Sequence, residues 1–121
     1  MAISRVWRGW AARADAGEYE RLVTQEVLPG MSRLGGYRGA RLLKRDADHD
    51  QVEFLVITEW ESFDSIRDFA GEEYDSATIP QAAADLLVRY DDRAAHYERV
   101  PAAIGAADAA GPPGPESGPP R

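Results

Sequence analysis

The run from Val52 to Trp60, VEFLVITEW, constrains this chain more than any other stretch, because it is apolar on both faces of an extended strand. Side chains alternate along a strand, so Val52, Phe54, Val56, Thr58 and Trp60 point one way while Leu55 and Ile57 point the other. A strand wet on one side carries polar residues there; this one needs cover on both. The polar stretch DADHDQ separates it from YRGARLLKR at 37–45, and the two runs read as a β-hairpin.

The flanking segments supply further elements. Residues 3–12, ISRVWRGWAA, alternate well enough for a strand. Asp15 and Glu18 form a capping-box spacing that predicts a helix start, followed by Tyr19, Leu22, Val23 and Val27 at helical spacing. Pro29 and Gly30 are expected to end or break it, with Met31 and Leu34 adding at most a turn before Gly35 and Gly36. Ser62 is a good N-cap for a helix carrying Phe63, Ile66, Phe69 and Ala70 and stopping at Gly71. Residues 72–79 read as a turn or short helical piece, Pro80 as the first position of a helix through QAAADLLVRY, and 94–100 as a last strand.

The order strand, helix, strand, strand, helix, strand is the split βαβ arrangement, an α+β ferredoxin-like βαββαβ fold with an antiparallel sheet. Helices then cover one sheet face. The other, apolar through Leu55 and Ile57, is most simply covered by a second copy of the chain, which makes a dimeric α+β barrel and a homodimer the expectation.

Domain bounds follow from a shift in composition. In 101–121, sixteen residues are Pro, Gly or Ala and none is aromatic, so one domain spans 1–100 and 101–121 is expected to be a disordered Pro/Gly/Ala-rich tail. The sequence has no cysteine, which excludes disulfides, thiolate metal sites and a cysteine nucleophile. A net charge of −7 with scattered basic residues disfavours nucleic acid. No apolar run approaches the roughly 18 residues of a membrane span, so the expectation is a soluble cytoplasmic protein with no membrane partner.

Several familiar motifs fail. Asp46, Asp48 and Asp50 begin like an EF-hand, but Gln51 stands where Gly is needed and Ile57 where a bidentate Glu is needed, so no metal site is expected. GGYRG matches no phosphate loop, and there is no G-x-S-x-G elbow. Among single residues, His96 has the ordinary pKa best suited to proton transfer near pH 7. Tyr74 and Asp75 lie in the irregular segment before Pro80 and can present a hydroxyl and an alternative base to a cleft. Trp60, Trp7 and Trp10 offer flat surfaces to an aromatic ligand, though such residues also build plain cores. Arg5 shares a strand face with Trp7, whereas Arg8 shares the opposite one with Val6 and Trp10; either cation can stabilise an anionic intermediate or pair with a glutamate across the sheet.

ISRVWRGW, the helix ending LVTQEVLPGM before GGYRGARLLKR, and above all EWESFDSIRDFAG with Pro80 and HYERV, resemble the antibiotic biosynthesis monooxygenase family over residues 3–100. The resemblance implies the dimeric α+β barrel and a superfamily of cofactor-independent monooxygenases of phenolic polyketides, quinol monooxygenases, cyclases and haem-degrading oxygenases. The haem-degrading branch uses an Asn in strand one, a Trp late in the second main helix and an iron-ligating His about ten residues on. Here Trp7 and Arg8, Phe69 and Thr78 stand near those places and no His lies between 50 and 95, so haem degradation is disfavoured. The reading it supports is a cofactor-free monooxygenase or oxidase acting on an aromatic or polyketide-like small molecule. Its expected catalytic residues are His96, Tyr74 and Asp75, and its substrate-binding residues Trp60, Trp7, Arg8 and Phe69. A polyketide cyclase or isomerase, or a non-catalytic dimeric ligand-binding protein, are the alternatives on the same fold.

Overall fold

Strand β1, Ile3–Ala12, is the centre of an antiparallel sheet in a computed structural model that describes residues 2–100. The tail expectation for 101–121 lies outside the described residues. Strands β2, Tyr37–Ala47, and β3, Gln51–Trp60, form the predicted hairpin, and β3 pairs with β1 along its whole length, from Ile3 opposite Trp60 to Ala12 opposite Gln51. The order is β2-β3-β1-β4, with β5 also on β1. This is the ferredoxin-like α+β arrangement expected from the element order.

The last strand arrives in two pieces. β4, Arg89–Tyr90, pairs with Gly9 and Trp10; β5, Ala95–Glu98, pairs with Ile3 to Val6. Sequence periodicity places a helix over 81–90, yet α4 covers only Gln81–Ala84. The free edge of β1 explains the difference. Its carbonyls need donors, and Trp10 and Arg8 take them from the Val88 and Asp91 N–H groups at 2.7 and 3.0 Å, which draws residues 88–91 out of the helix.

Helix α1, Arg13–Leu22, begins directly at the end of β1, two residues before the expected cap. The Asp15–Glu18 box does not form, and Glu18 pairs with Arg21 instead. The hairpin turn fixes the helix start: the Asp50 carbonyl accepts the Arg13 N–H at 2.9 Å, and the Arg13 guanidinium spans Asp46 and Asp50. That latch also holds a turn in which His49 and Asp50 have positive φ, a conformation that most side chains resist.

Beyond Leu22 the helix widens into a π-helical stretch, Val23–Val27, in which the Leu28 N–H reaches back five residues to the Val23 carbonyl. Pro29 supplies the cause, since it has no N–H for the Gln25 carbonyl and its ring would crowd that group in a regular α-helix. The helix therefore passes Pro29 and Gly30 where an end or break was expected. It continues as α2, Leu28–Gly30, and a 3₁₀ turn, Met31–Arg33.

Helix α3, Phe63–Ala70, starts and stops as read: the Ser65 N–H donates to the Ser62 hydroxyl at 3.2 Å, and Gly71 ends it at φ +91°. Ser62→Ala is expected to lower unfolding free energy by about 1 kcal/mol, measured by urea denaturation. Two apolar clusters hold the helices to the sheet. Ala11, Tyr19, Val23, Val52, Phe54 and Ala83 close one end, and Ile3, Trp60 and Ile66 close the other. The rows between them, Arg5 with Thr58 and Trp7 with Val56, have no such filling.

Candidate functional site

That gap is a cavity of about 660 Å³ between the sheet and the helical layer, within the range of small-molecule sites. Its floor is Arg5, Trp7, Val56 and Thr58. The π-helical stretch contributes Val23, Glu26 and Val27 to one wall, and Phe69 and the segment from Thr78 to Pro80 line the rest of a cleft that is open to solvent on one side. The widened helix and the sheet thus leave a mostly apolar space with few polar groups.

Trp7 is fixed by its Nε1–H, which donates to the Asp91 carbonyl at 2.7 Å, and by Tyr90, whose ring centre lies 5.5 Å away. Phe69 is stacked on Trp60 at 5.2 Å. Trp60 itself is only 1% exposed and sits one layer behind the cavity; its Nε1–H donates to the Thr58 hydroxyl at 2.8 Å. It supports two cavity residues without lining the cavity.

Arg5 is the polar centre of the site. Although 6% exposed, it meets neutral acceptors: Nη1 donates to the Tyr74 carbonyl and to His96 Nε2, the latter at 2.9 Å, and Nη2 donates to the Ser76 carbonyl at 3.0 Å. Its guanidinium also lies 5.6 Å from the Phe69 ring centre. Burial lowers its pKa, opposed by the field of Asp75. An arginine remains charged through such a shift.

His96 faces Arg5 across the β1–β5 pair, with Tyr74 and Phe63 rings at 5.3 and 5.9 Å. Burial, and then the Arg5 charge, hold its pKa below the usual imidazole value, against a weaker raising effect of Asp75. Its neutral form therefore prevails at pH 7. Because an arginine can only donate, Nε2 is the acceptor and the ring proton sits on Nδ1. The expected catalytic residues gather around Arg5 but do not line the cavity. Tyr74 offers Arg5 its carbonyl, and the Asp75 carboxylate turns outward to Arg93 at 2.9 Å.

Arg8, grouped by sequence with the substrate-binding residues, lies on the opposite sheet face. It pairs with Asp91 at 2.8 Å and lies 5.1 Å from the Trp10 ring centre, with Arg89 on the same ring at 3.6 Å. Arg5 occupies the place given to Arg8. The signal was its sharing a face with Trp7 and, through pairing with β3, with Thr58 and Trp60.

A depressed histidine pKa ties stability to pH. Protonating His96 favours the unfolded chain, so its contribution is complete above about pH 6.5 and falls away as pH drops below that value. The melting temperature is expected to decline between pH 7 and pH 5. In His96→Gln, whose amide oxygen can accept from Arg5, the decline should be shallower.

Fold and site together define a ferredoxin-like α+β domain with an apolar cavity under its sheet and a buried cation in the cavity floor. No family model and no curated protein matches the sequence. Among solved structures the chain is similar to the monooxygenase from the gene ActVA-Orf6 of Streptomyces coelicolor, in complex with nanaomycin D. That likeness has 19% identity and a TM-score of 0.60, covering 87% of this chain and 92% of that one. It is also similar to SnoaB, a cofactor-independent oxygenase from Streptomyces nogalater, at 18% identity and TM-score 0.56 over 87% and 98% of the two chains. A Bordetella bronchiseptica protein assigned as an antibiotic biosynthesis monooxygenase follows the same fold at 19% identity and TM-score 0.58, over 82% and 97%. The chain shares the fold of antibiotic biosynthesis monooxygenases. Among the described residues, no helix is long and apolar enough to cross a membrane.

Proposed function

We propose that the chain is a cofactor-independent monooxygenase acting on an aromatic, polyketide-like small molecule. The observation that carries this reading is the apolar 660 Å³ cavity with one buried cation and a neutral histidine beside it. The likeness to an oxygenase described as cofactor-independent and to a monooxygenase that binds nanaomycin D supports it. An activated ring methylene between two arenes loses a proton, and the resulting anion passes an electron to oxygen. Recombination gives a hydroperoxide that expels water. Overall, one methylene and one dioxygen give one carbonyl and one water, with no added reductant.

Trp7 and Phe69 hold the ring system, and Trp60 braces Phe69. His96 takes the proton once a substrate oxygen displaces its Nε2 from Arg5; Tyr74 and Asp75 shape the segment that holds Arg5. Oxygen uptake by the metal-free protein with a panel of anthrones tests the reading. Expected is one dioxygen consumed per substrate and a product in which two hydrogens have given way to one oxygen. Uptake no faster than without protein across the panel removes it, and loss of water without uptake from an uncyclised polyketide analogue indicates a cyclase.

The same proposal includes a homodimer formed through the uncovered sheet face. Leu43 and Tyr97 there are 47% and 59% exposed, and Val6, Leu55 and Ile57 lie between them. Ile57→Asp is expected to convert a dimer into a monomer in light scattering. A wild-type monomer at high concentration rejects this arrangement.

A further inference from the structure

Arg5 combines two properties that seldom occur together, near-complete burial and no carboxylate within ion-pair distance among the described residues. The exposed arginines Arg8, Arg13 and Arg93 each hold an aspartate. Burying a guanidinium against neutral acceptors alone leaves its charge uncompensated, an arrangement proteins ordinarily avoid. The nearest candidate, Asp75, gives its carboxylate to Arg93. Glu26, the one acidic residue in the cavity wall, lies within ion-pair distance of Arg21 at 3.6 Å.

Donor counting shows what is missing. A guanidinium has five N–H donors, and Arg5 spends both on Nη1 and one on Nη2. The remaining two belong to neighbouring nitrogens, Nε and Nη2, and Arg5 lines the cavity. Adjacent donors of this kind match the two oxygens of a carboxylate. The Tyr74 carbonyl and His96 hold Nη1 and the Ser76 carbonyl holds Nη2, so the group is already positioned before a ligand enters. Phe69, 5.6 Å from the guanidinium, marks where the apolar body begins.

We propose that the cavity binds an organic acid as its anion, with a carboxylate seated on the Nε and Nη2 donors of Arg5 and a fused-ring body extending over Trp7 and Phe69. The inference rests on the cavity being the substrate site of the proposed oxygenase, and adds the class of substrate. Until a substrate oxygen displaces it, the His96 lone pair holds Nη1 and leaves the Nε and Nη2 donors to the carboxylate.

Binding of anthracene-2-carboxylate and of its methyl ester, followed by tryptophan quenching at pH 7.5, is the test. The acid is expected to bind at least about tenfold more tightly than the ester. Arg5→Gln should level the two by weakening the acid alone, and Arg5→Lys should restore part of the preference, since it keeps the charge and loses the fork. The proposal is overturned if wild-type protein binds acid and ester equally, if it binds neither, or if Arg5→Gln keeps the preference. The wild-type comparison decides the matter if Arg5→Gln does not fold. Oxygen uptake is read separately. A clear acid preference with no turnover of any substrate retires the oxygenase and leaves the anion seat, whereas equal kcat/KM for acid-bearing and acid-free anthrones retires the seat alone.

Discussion

Trp60→Ala is expected to destabilise the protein by about 3–5 kcal/mol, the range for deleting a large aromatic from a packed core. Trp60 is 1% exposed, stacks on Phe69, meets Tyr37 edge-on at 5.5 Å and shares a cluster with Ile3 and Ile66. A domain of this size has a total stability of roughly 5–15 kcal/mol, so the variant should lose a large fraction of it and melt well below the wild type. Trp60→Phe separates the two things the indole does. It keeps most of the packing and loses the Thr58 hydrogen bond. A smaller loss is expected there, about 1–3 kcal/mol, together with weaker ligand binding, because Thr58 loses its hydrogen bond and Phe69 keeps only part of its stacking partner. Thermal unfolding with and without a bound aromatic acid reads both effects. An unchanged melting temperature in Trp60→Ala contradicts the packing described.

Gly36→Ala is the second large effect. Gly36 has φ +83°, and a Cβ there would stand 1.9 Å from Ser65 Oγ and 2.5 Å from Ser65 Cβ. Its carbonyl accepts the Glu61 N–H at 2.7 Å, so the turn cannot simply swing away from α3. Left-handed strain of about 1–2 kcal/mol adds to an overlap of about 1–3 kcal/mol. The expected loss is therefore about 2–5 kcal/mol by urea unfolding. Combining it with Ser65→Gly should recover the steric part and leave the strain, so the double variant should be more stable than the sum of the single effects predicts. Strict additivity would mean that Gly36 and Ser65 do not meet.

What could be read from the chain was local. The hairpin, the alternation of β3 and the bounds of α3 at Ser62 and Gly71 depend on neighbours in sequence, and these came out as expected. β1 was harder for a definite reason. Each of its faces carries one arginine and one tryptophan, Arg5 with Trp7 and Arg8 with Trp10, so composition cannot say which face meets the helices. Register against β3 decides it, by setting Arg5 beside Thr58 and Trp7 beside Val56. The same holds for residues 85–91, whose helical pattern gives way to an unsatisfied strand edge far away in sequence. Of the expected site, Trp7 and Phe69 line the cavity. His96 and Tyr74 reach it only through Arg5, an assembly made by three segments that no spacing rule connects.

The π-helical stretch at Val23–Val27 has a consequence for how this wall can change. It acts as a phase shift, letting the residues that follow face the cavity instead of continuing the α-helical rotation. Relaxing it to a regular α-helix with every residue kept would rotate everything beyond by about 100°. Leu28 and Met31 would turn out of the wall together while their chemistry stayed the same. Which residues face the ligand is thus set here by Pro29, a residue that does not itself line the cavity.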